Sequence, residues 1–466
     1  MTSTGLSKGG PPAVSRPTSV PRMVGWRGAE LAVRLGLTVG GIAVVALWWV
    51  QTSAASLDSA GQVMTAAGRV SGLLAAYLVL VEVLLLARVP ALERAVGFDR
   101  LAAWHRGLGT NVVLLIGVHV LLVVWGYGLT DHRQPFGELV TVVTSYPDMW
   151  KATIGALLFV AVGISSGRIA RSKLSYEVWY ALHLTVYVAV ALTFFHQTSN
   201  GADLVASRTA RDAWTLLYLA VAACVVIWRV VLPVTAIPRH RMRVERVVRE
   251  GPGVVSVWIR GRGLDRLGAV PGQFLLWRFA ARGHLLSAHA YSLSAPPEPD
   301  RLRITVKAAG DHSRALEWLR PGTPVLAEGP FGLFTAQRTR PDAKVLLIGA
   351  GSGIAPVRAL AEGLARNGRD VVVVQRASRP LDLVLHEELC ELSRAGLMTV
   401  HGVTGARDQL GFDPLAARYL GTAVPDITER DVFVCGPPGL TRSVTHTLRQ
   451  LGVAERRIHT EEFELR

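Results

Sequence analysis

Six stretches of the chain are apolar for close to the length of a bilayer crossing: Leu31 to Val50, Val63 to Ala87, His105 to Trp125, Ala152 to Gly167, Tyr176 to Gln197 and Ala213 to Val234. A hydrocarbon core about 30 Å thick takes roughly 20 helical residues to cross, so these runs predict six membrane-spanning helices. Lipid offers no partner to a backbone N–H or C=O, and a helix satisfies both from within the run itself.

The chain has 466 residues, half of them hydrophobic, which leaves ample length for folded domains outside the spans. Its formal net charge of +15 is spread between the apolar runs and forms no aromatic-interleaved patch. That distribution fits a membrane surface and argues against nucleic acid as a partner. The three cysteines, Cys224, Cys390 and Cys435, are too widely separated for a zinc or iron–sulfur spacing. Cys224 reads as a small core residue within an apolar run.

Basic residues set the expected orientation. Arg88, Arg94, Arg100 and Arg106 surround the second connection, Arg168, Arg171 and Lys173 fill the fourth, and Arg239, Arg241 and Arg243 follow the sixth run. The other connections carry Asp58, Asp131, Asp148 and Asp203, with Arg133, Lys151, Arg208 and Arg211 narrowing the margin. The basic side faces the cytoplasm, which predicts a multi-pass cell-membrane protein with both termini cytoplasmic. Residues 1–27, rich in Pro, Gly and Ser, read as a disordered basic tail. A cleaved leader is the competing reading of the first run, because "TSAAS" follows it, and the long basic lead-in weighs against it.

The third and fifth runs each carry two histidines, His105 and His119 (119 − 105 = 14) and His183 and His196 (196 − 183 = 13). An ionisable ring inside a membrane helix needs a partner and marks a functional site by default. The two runs point the same way, so His105 and His183 share the inner level and His119 and His196 the outer, about 20 Å apart. Neutral imidazoles on facing helices suit the two axial positions of a haem, and the matched pairs predict two stacked haems. Fourteen residues return nearly to one helix face while thirteen do not, so the fifth helix must bend or its rings must leave from different sides. Arg69 is a candidate for a haem propionate, with snorkelling to the interface as its alternative, and Glu82 receives no role.

Beyond Val234, "MRVERVV", "GVVSVWIRG", "QFLLWRF", "HAYSLS", "LRITVKAA" and "TPVLAEG" predict a small antiparallel barrel with "SRALEWL" as its one helix. From Lys344 the pattern changes to buried strands alternating with helices: "KVLLIGAG", "VRALAEGLARNG", "DVVVVQ", "LHEELCELS", "LMTVHGV" and "DVFVCG". This predicts a parallel α/β sheet with "GAGSGIAP" opening a helix toward a phosphate. The fold class is a multi-domain membrane protein: a six-helix transmembrane bundle over 28–234, an antiparallel β-barrel domain over 239–338 and a parallel α/β nucleotide-binding domain over 342–466.

"PGQF", "HAYSLS", "GDHS", "GAGSGIAP", "VFVCGPPG" and "HTEEF" occur in the order seen in ferredoxin-NADP reductase-like flavoproteins. Behind six helices with paired histidines, they resemble the ferric reductase and NADPH oxidase family over about Arg27 to Arg466. The resemblance implies FAD on His289, Tyr291 and Ser292, with the Ser292 hydroxyl near the hydride-accepting atom and Ser313 helping to hold the pyrophosphate. It implies a nicotinamide nucleotide on Gly349, Gly351, Gly353 and Pro356. Cys435, Gly436 and Pro437 border the nicotinamide, and Phe463 covers the flavin until the nicotinamide displaces it. Two departures stand out: Ala290 follows His289 where the family carries Pro, and "ELR" continues past Phe463. Arg376 and Arg379 follow the second strand of the sheet and favour the 2′-phosphate of NADPH, with NADH the alternative.

The expected activity is transfer of electrons from cytoplasmic NAD(P)H through FAD and two b-type haems to a small-molecule acceptor outside, ferric chelate or dioxygen. Ser292, Cys435 and Phe463 are the candidate catalytic residues. An alternative is electron delivery to an unidentified redox partner. Another, of a different class, is a transporter with a regulatory nucleotide-binding domain, against which the spans lack repeated halves and broken mid-membrane helices.

Overall fold

A computed structural model describes residues 26–53, 57–171, 173–174, 176–281, 284, 288–405 and 411–462. Most of the expected N-terminal tail and Phe463 therefore lie outside the described residues. The membrane half consists of helices α1 (Trp26–Gln51), α2 (Ala60–Leu85), α3 (Pro90–Val96), α4 (Phe98–Thr130), α5 (Pro135–Ser145), α6 (Met149–Ser166), α7 (Arg168–Arg171), α8 (Tyr176–Asn200), α9 (Ala202–Ala206), α10 (Arg208–Val226) and α11 (Leu232–His240). Among the described residues, six helices are long and apolar enough to cross a membrane, and each overlaps one of the six apolar runs. The sixth runs from α10 through a π-helical stretch, Ile227–Val231, into α11.

Small residues set how closely the helices approach. α2 and α4 lie antiparallel, and a Cβ on Gly61 would stand 2.8 Å from the Gly126 carbonyl, while one on Gly68 would stand 2.7 Å from Val123. Between lipid-facing helices the apolar effect supplies no drive, so backbone contact at such glycines is what packing rests on. Gly155 of α6 meets the Ala189 carbonyl of α8 at 3.0 Å from the position of a Cβ, and Gly163 meets Val113 of α4 in the same way at 2.9 Å. α4 is thereby flanked by α2 and α6, with α8 packed on α6.

The six expected strands after α11 are all present as β1 (Arg243–Gly251), β2 (Val254–Arg260), β3 (Phe274–Phe279), β4 (His289–Ser292), β5 (Arg301–Lys307) and β6 (Val325–Phe331). They form two three-stranded antiparallel sheets, β1-β2-β5 and β4-β3-β6, rather than the expected closed barrel. Single bridges, Arg243 to Pro324 and Leu293 to Ile304, are the links between the two ladders among the described residues. The sheets enclose a core containing Trp277, Phe279, Leu275, Ile304 and Leu316. The expected "SRALEWL" helix is shorter, a five-residue α12 (Asp311–Ala315) running into a 3-10 turn. Pro321 stops it, since the residue before a proline is pushed out of the helical region.

The last part is a five-stranded parallel sheet in the order β11-β10-β7-β8-β9, built from β7 (Val345–Ala350), β8 (Val371–Arg376), β9 (Thr399–Val403), β10 (Asp431–Gly436) and β11 (Ile458–Glu462). Helices α13 (Ile354–Arg366), α14 (His386–Arg394), α15 (Ala417–Ala423) and α16 (Pro438–Gln450) accompany it. Strand order reverses between β7 and β10, which is where ligands of open α/β sheets bind. The apposed α13 and α14 are tied to β5 by Arg303, 3% exposed, whose guanidinium donates to both Glu388 oxygens at 2.7 and 3.0 Å. Arg358 of α13 shares that carboxylate, with Nε 2.9 Å away.

Candidate functional site

In the membrane half the four histidines meet as two pairs. His105 and His183 have ring centres 5.9 Å apart, and His119 and His196 have theirs 6.4 Å apart. Two imidazoles bound on opposite sides of one metal ion, each through a bond of about 2 Å, stand with ring centres about 6 Å apart. His183 and His196 each keep a buried Nδ1 with no hydrogen-bond partner. The spacing and the unsatisfied nitrogens fit a metal between the rings of each pair. α8 is α-helical from Tyr176 to Asn200, so its two rings leave the helix about 140° apart, the second of the two ways of resolving the thirteen-residue spacing.

The partners of each pair are held from α2. His119 Nδ1 lies 2.8 Å from the Gly68 carbonyl, and a Cβ on Gly72 would come within 2.5 Å of the same ring, so glycine at 72 makes room for it. His105 Nδ1 meets the carboxylate of Glu82, which is 8% exposed. Glu82 carried no role in the sequence because its distance to His105 depends on the pairing of two helices. Arg69 makes a bidentate contact with Asp203, its Nε 3.1 Å from Oδ2. The sequence offered a haem propionate or the membrane interface for Arg69, and the connection before α10 brings a carboxylate to it.

The two halves join at an aromatic cluster that the sequence gave no reason to group. Phe98, the first residue of α4, packs on Phe274 of β3 and Phe331 of β6 at ring-centre distances of 5.8 and 5.7 Å. Beside it, Arg88 and Arg278 converge on the Glu328 carboxylate. Phe274 pairs directly with Ser292 on one side and Phe331 on the other, so all three share one sheet face. Ser292 Oγ is buried with no hydrogen-bond partner, and an unmade bond of this kind costs about 1–3 kcal/mol. A flavin edge laid there has a hydroxyl waiting for it.

Near the other end of β4, His289, His284 and His312 form a cluster. His289 and His312 stack with ring centres 3.5 Å apart, and His284 Nδ1 lies 2.8 Å from His312 Nε2. Burial, reinforced by the two neighbouring imidazoles, lowers His312 to about 3. Burial pushes the Tyr291 hydroxyl up from its ordinary value. Ser313 Oγ accepts from the Ala309 and Gly310 amides at 2.8 and 3.0 Å, closing its own turn. His284 and His312 were missed because histidines 28 residues apart show no spacing signal before the strands bring them together.

The nucleotide residues gather at the strand-order reversal. Gly349 of β7 is in register with Cys435 of β10, and Gly353 lies so close that a Cβ would stand 2.2 Å from the Cys435 carbonyl. Gly351 has φ +57°, a turn that glycine takes without strain. Pro356 falls in the first turn of α13, and Pro437 caps α16. A cavity of about 610 Å³ opens here, lined by Gly351, Ser352, Arg376, Asp382, Pro437 and Leu440 among others. The Arg376 guanidinium donates to the Ala377 and Gly405 carbonyls, and Arg379 pairs with Asp382 at 2.9 Å. The Cys435 side chain is fully buried in the sheet core. β11 pairs Glu461 with Cys435 and Glu462 with Gly436 at the same edge. A cleft of about 1620 Å³ runs from Phe98 and Arg100 to Glu462.

Residues 71–194 match the family described as ferric reductase like transmembrane component, and residues 347–446 match the oxidoreductase NAD-binding domain. The chain is 34% identical over 227 residues to the stachydrine N-demethylase reductase subunit of Rhizobium meliloti (strain 1021), covering 46% of this chain and 64% of that protein. It is 32% identical over 212 residues to the ferredoxin reductase component of 3-ketosteroid-9-alpha-monooxygenase from Mycolicibacterium smegmatis (strain ATCC 700084 / mc(2)155), covering 43% and 57%. The chain thus spans less than two thirds of these relatives. A solved structure, the flavohem-like FAD/NAD-binding domain of nitric oxide dioxygenase from Vibrio cholerae O1 biovar El Tor, aligns with TM-score 0.40 and 22% identity over 48% of this chain and 98% of that one.

Proposed function

We propose that this chain, in which a ferric reductase-like transmembrane component is joined to a ferredoxin-reductase-like FAD/NAD module, matching a ferric reductase/NADPH oxidase-like fusion, is a membrane flavocytochrome b. It carries electrons from cytoplasmic NAD(P)H to an acceptor on the outer face, ferric chelate or dioxygen. When bound, FAD supplies the change from hydride to single-electron chemistry and two b-type haems supply one-electron relays through lipid. In this reading His105 and His183 hold one iron and His119 and His196 the other. Ser292 and Tyr291 seat the flavin, His289 and Ser313 lie toward its pyrophosphate, and Phe463 covers it. Gly349, Gly351, Gly353 and Pro356 admit the nucleotide, with Cys435, Gly436 and Pro437 along the nicotinamide. NADPH is the preferred donor, read by Arg376 and Arg379.

The observation that supports the reading is the pairing of the four histidines at one-metal spacing on α4 and α8. With both histidines of a pair given to the metal, the acceptor would take electrons without binding to it, which is compatible with ferric chelate and with dioxygen. The test is a reduced-minus-oxidised spectrum of the purified protein with NADPH, repeated with His119→Leu. A b-type signal that falls by half, with transmembrane transfer lost, is expected; absence of any b-type signal would sink the reading.

A second reading is delivery of electrons to a redox partner, favoured by the names of the relatives, a reductase subunit and a reductase component. Purified protein that oxidises NADPH with ferric chelate or oxygen alone argues against it.

A further inference from the structure

The two histidine pairs are anchored alike but not equally. On α2 the acceptors for His119 and His105 are Gly68 and Glu82, fourteen residues apart (82 − 68), and on α4 the histidines are fourteen apart (119 − 105). Antiparallel packing at constant register therefore offers each ring one partner from the same helix, at two levels about 21 Å apart. At the level far from the nucleotide module the partner is a backbone carbonyl, 2.8 Å from His119 Nδ1. At the near level, two helical turns beyond Phe98, it is the carboxylate of Glu82, buried in a helix that presents no other acidic side chain.

The geometry points to Glu82 as a positioning and tuning residue for the near pair, making its metal centre the harder of the two to reduce. The inference rests on the haem reading above. With Nδ1 engaged, His105 has its other nitrogen left for a metal, and the carboxylate fixes ring orientation. Hydrogen bonding to a carboxylate also makes the imidazole a stronger donor to a metal than bonding to a neutral carbonyl does. A stronger donor stabilises the oxidised form of the metal it holds and so lowers the reduction potential. The far pair, whose His119 is held by a carbonyl, lacks this bond. The resulting step favours electron flow from the module end of α4 toward the far end.

The experiment is a spectroelectrochemical titration of the full-length protein and of Glu82→Gln, which keeps size and hydrogen-bonding capacity and removes the charge. Two one-electron components are expected in the parent. In the variant the lower component should rise by at least tenfold in its reduction equilibrium, 59 mV for one electron, with the upper component unmoved. If the Gln variant loses haem, Glu82→Asp is titrated instead: its shorter side chain weakens the contact while keeping the charge, and a smaller rise confined to the lower component supports the assignment. A rise in the upper component, or none in either, overturns it. Missing b-type absorbance in the parent overturns this inference and the haem reading together, whereas two normal components that ignore Glu82 overturn this inference alone.

Discussion

At the residue scale, four imidazoles pair between α4 and α8, and three others face one another. His312 is one of the three, wedged against His284 and His289. Its pKa is lowered to about 3 from an ordinary 6.5, so between those values the unfolded chain binds a proton that the folded chain refuses. Stability then rises with pH across the window and is lost as pH falls from about 6.5 toward 3. Urea unfolding of FAD-free protein, followed at pH 7 and pH 5, should show a lower midpoint at pH 5, and His312→Asn should flatten that difference. FAD should flatten it as well if its pyrophosphate sits there, because an anion beside the cluster makes protonation favourable in the folded state. The motif "GDHS" drew attention to Ser313 in the sequence, while the ring beside it went unread: an isolated histidine has no periodicity, and its neighbours become visible only when β4 and α12 are packed.

At the scale of elements, function depends on two contacts between units with little sequence in common. One is the joint of α4 with the β4-β3-β6 sheet. An aromatic pair is worth about 0.5–1.5 kcal/mol, and Phe98 makes two, one edge-to-face with Phe274 and one tilted with Phe331. Phe98→Ala should slow haem reduction by NADPH at least tenfold in stopped flow, while flavin reduction keeps its rate, since the substitution lies seven residues before His105 and outside the nucleotide site. The other is the close approach of the β7 turn to the end of β10. Gly353→Ala forces a methyl into the Cys435 carbonyl, so the KM for nicotinamide nucleotide should rise tenfold or more with FAD content retained. Parallel strands and their glycine turns were plain in the sequence, because buried runs of Val, Leu and Ile alternate with amphipathic helices. The barrel was overread: six alternating strands specify antiparallel pairing, but closure depends on hydrogen bonds between the two ladders, here limited to single bridges.

For the whole molecule, the proposed path runs from the nucleotide cavity across the sheet face of Ser292 and Phe274 to Phe98, then along α4 to His105 and His119. In proteoliposomes with the nucleotide domain facing outward, added NADPH should reduce ferricyanide trapped inside, and His196→Leu should abolish that while leaving reduction of an outside dye intact. An equal trapped signal from the variant would refute the path. Local sequence determined the six spans, ten of the eleven strands in outline and the histidine spacing, because hydrophobic run length, alternation and turn glycines are properties of neighbouring residues. Only tertiary structure decided that Glu82 meets His105, that Arg69 meets Asp203, that three phenylalanines join the halves and that Gly353 touches Cys435. Each of these contacts is set by how two elements dock, and docking is fixed by the summed packing of their whole faces rather than by any signal carried at the residues that meet.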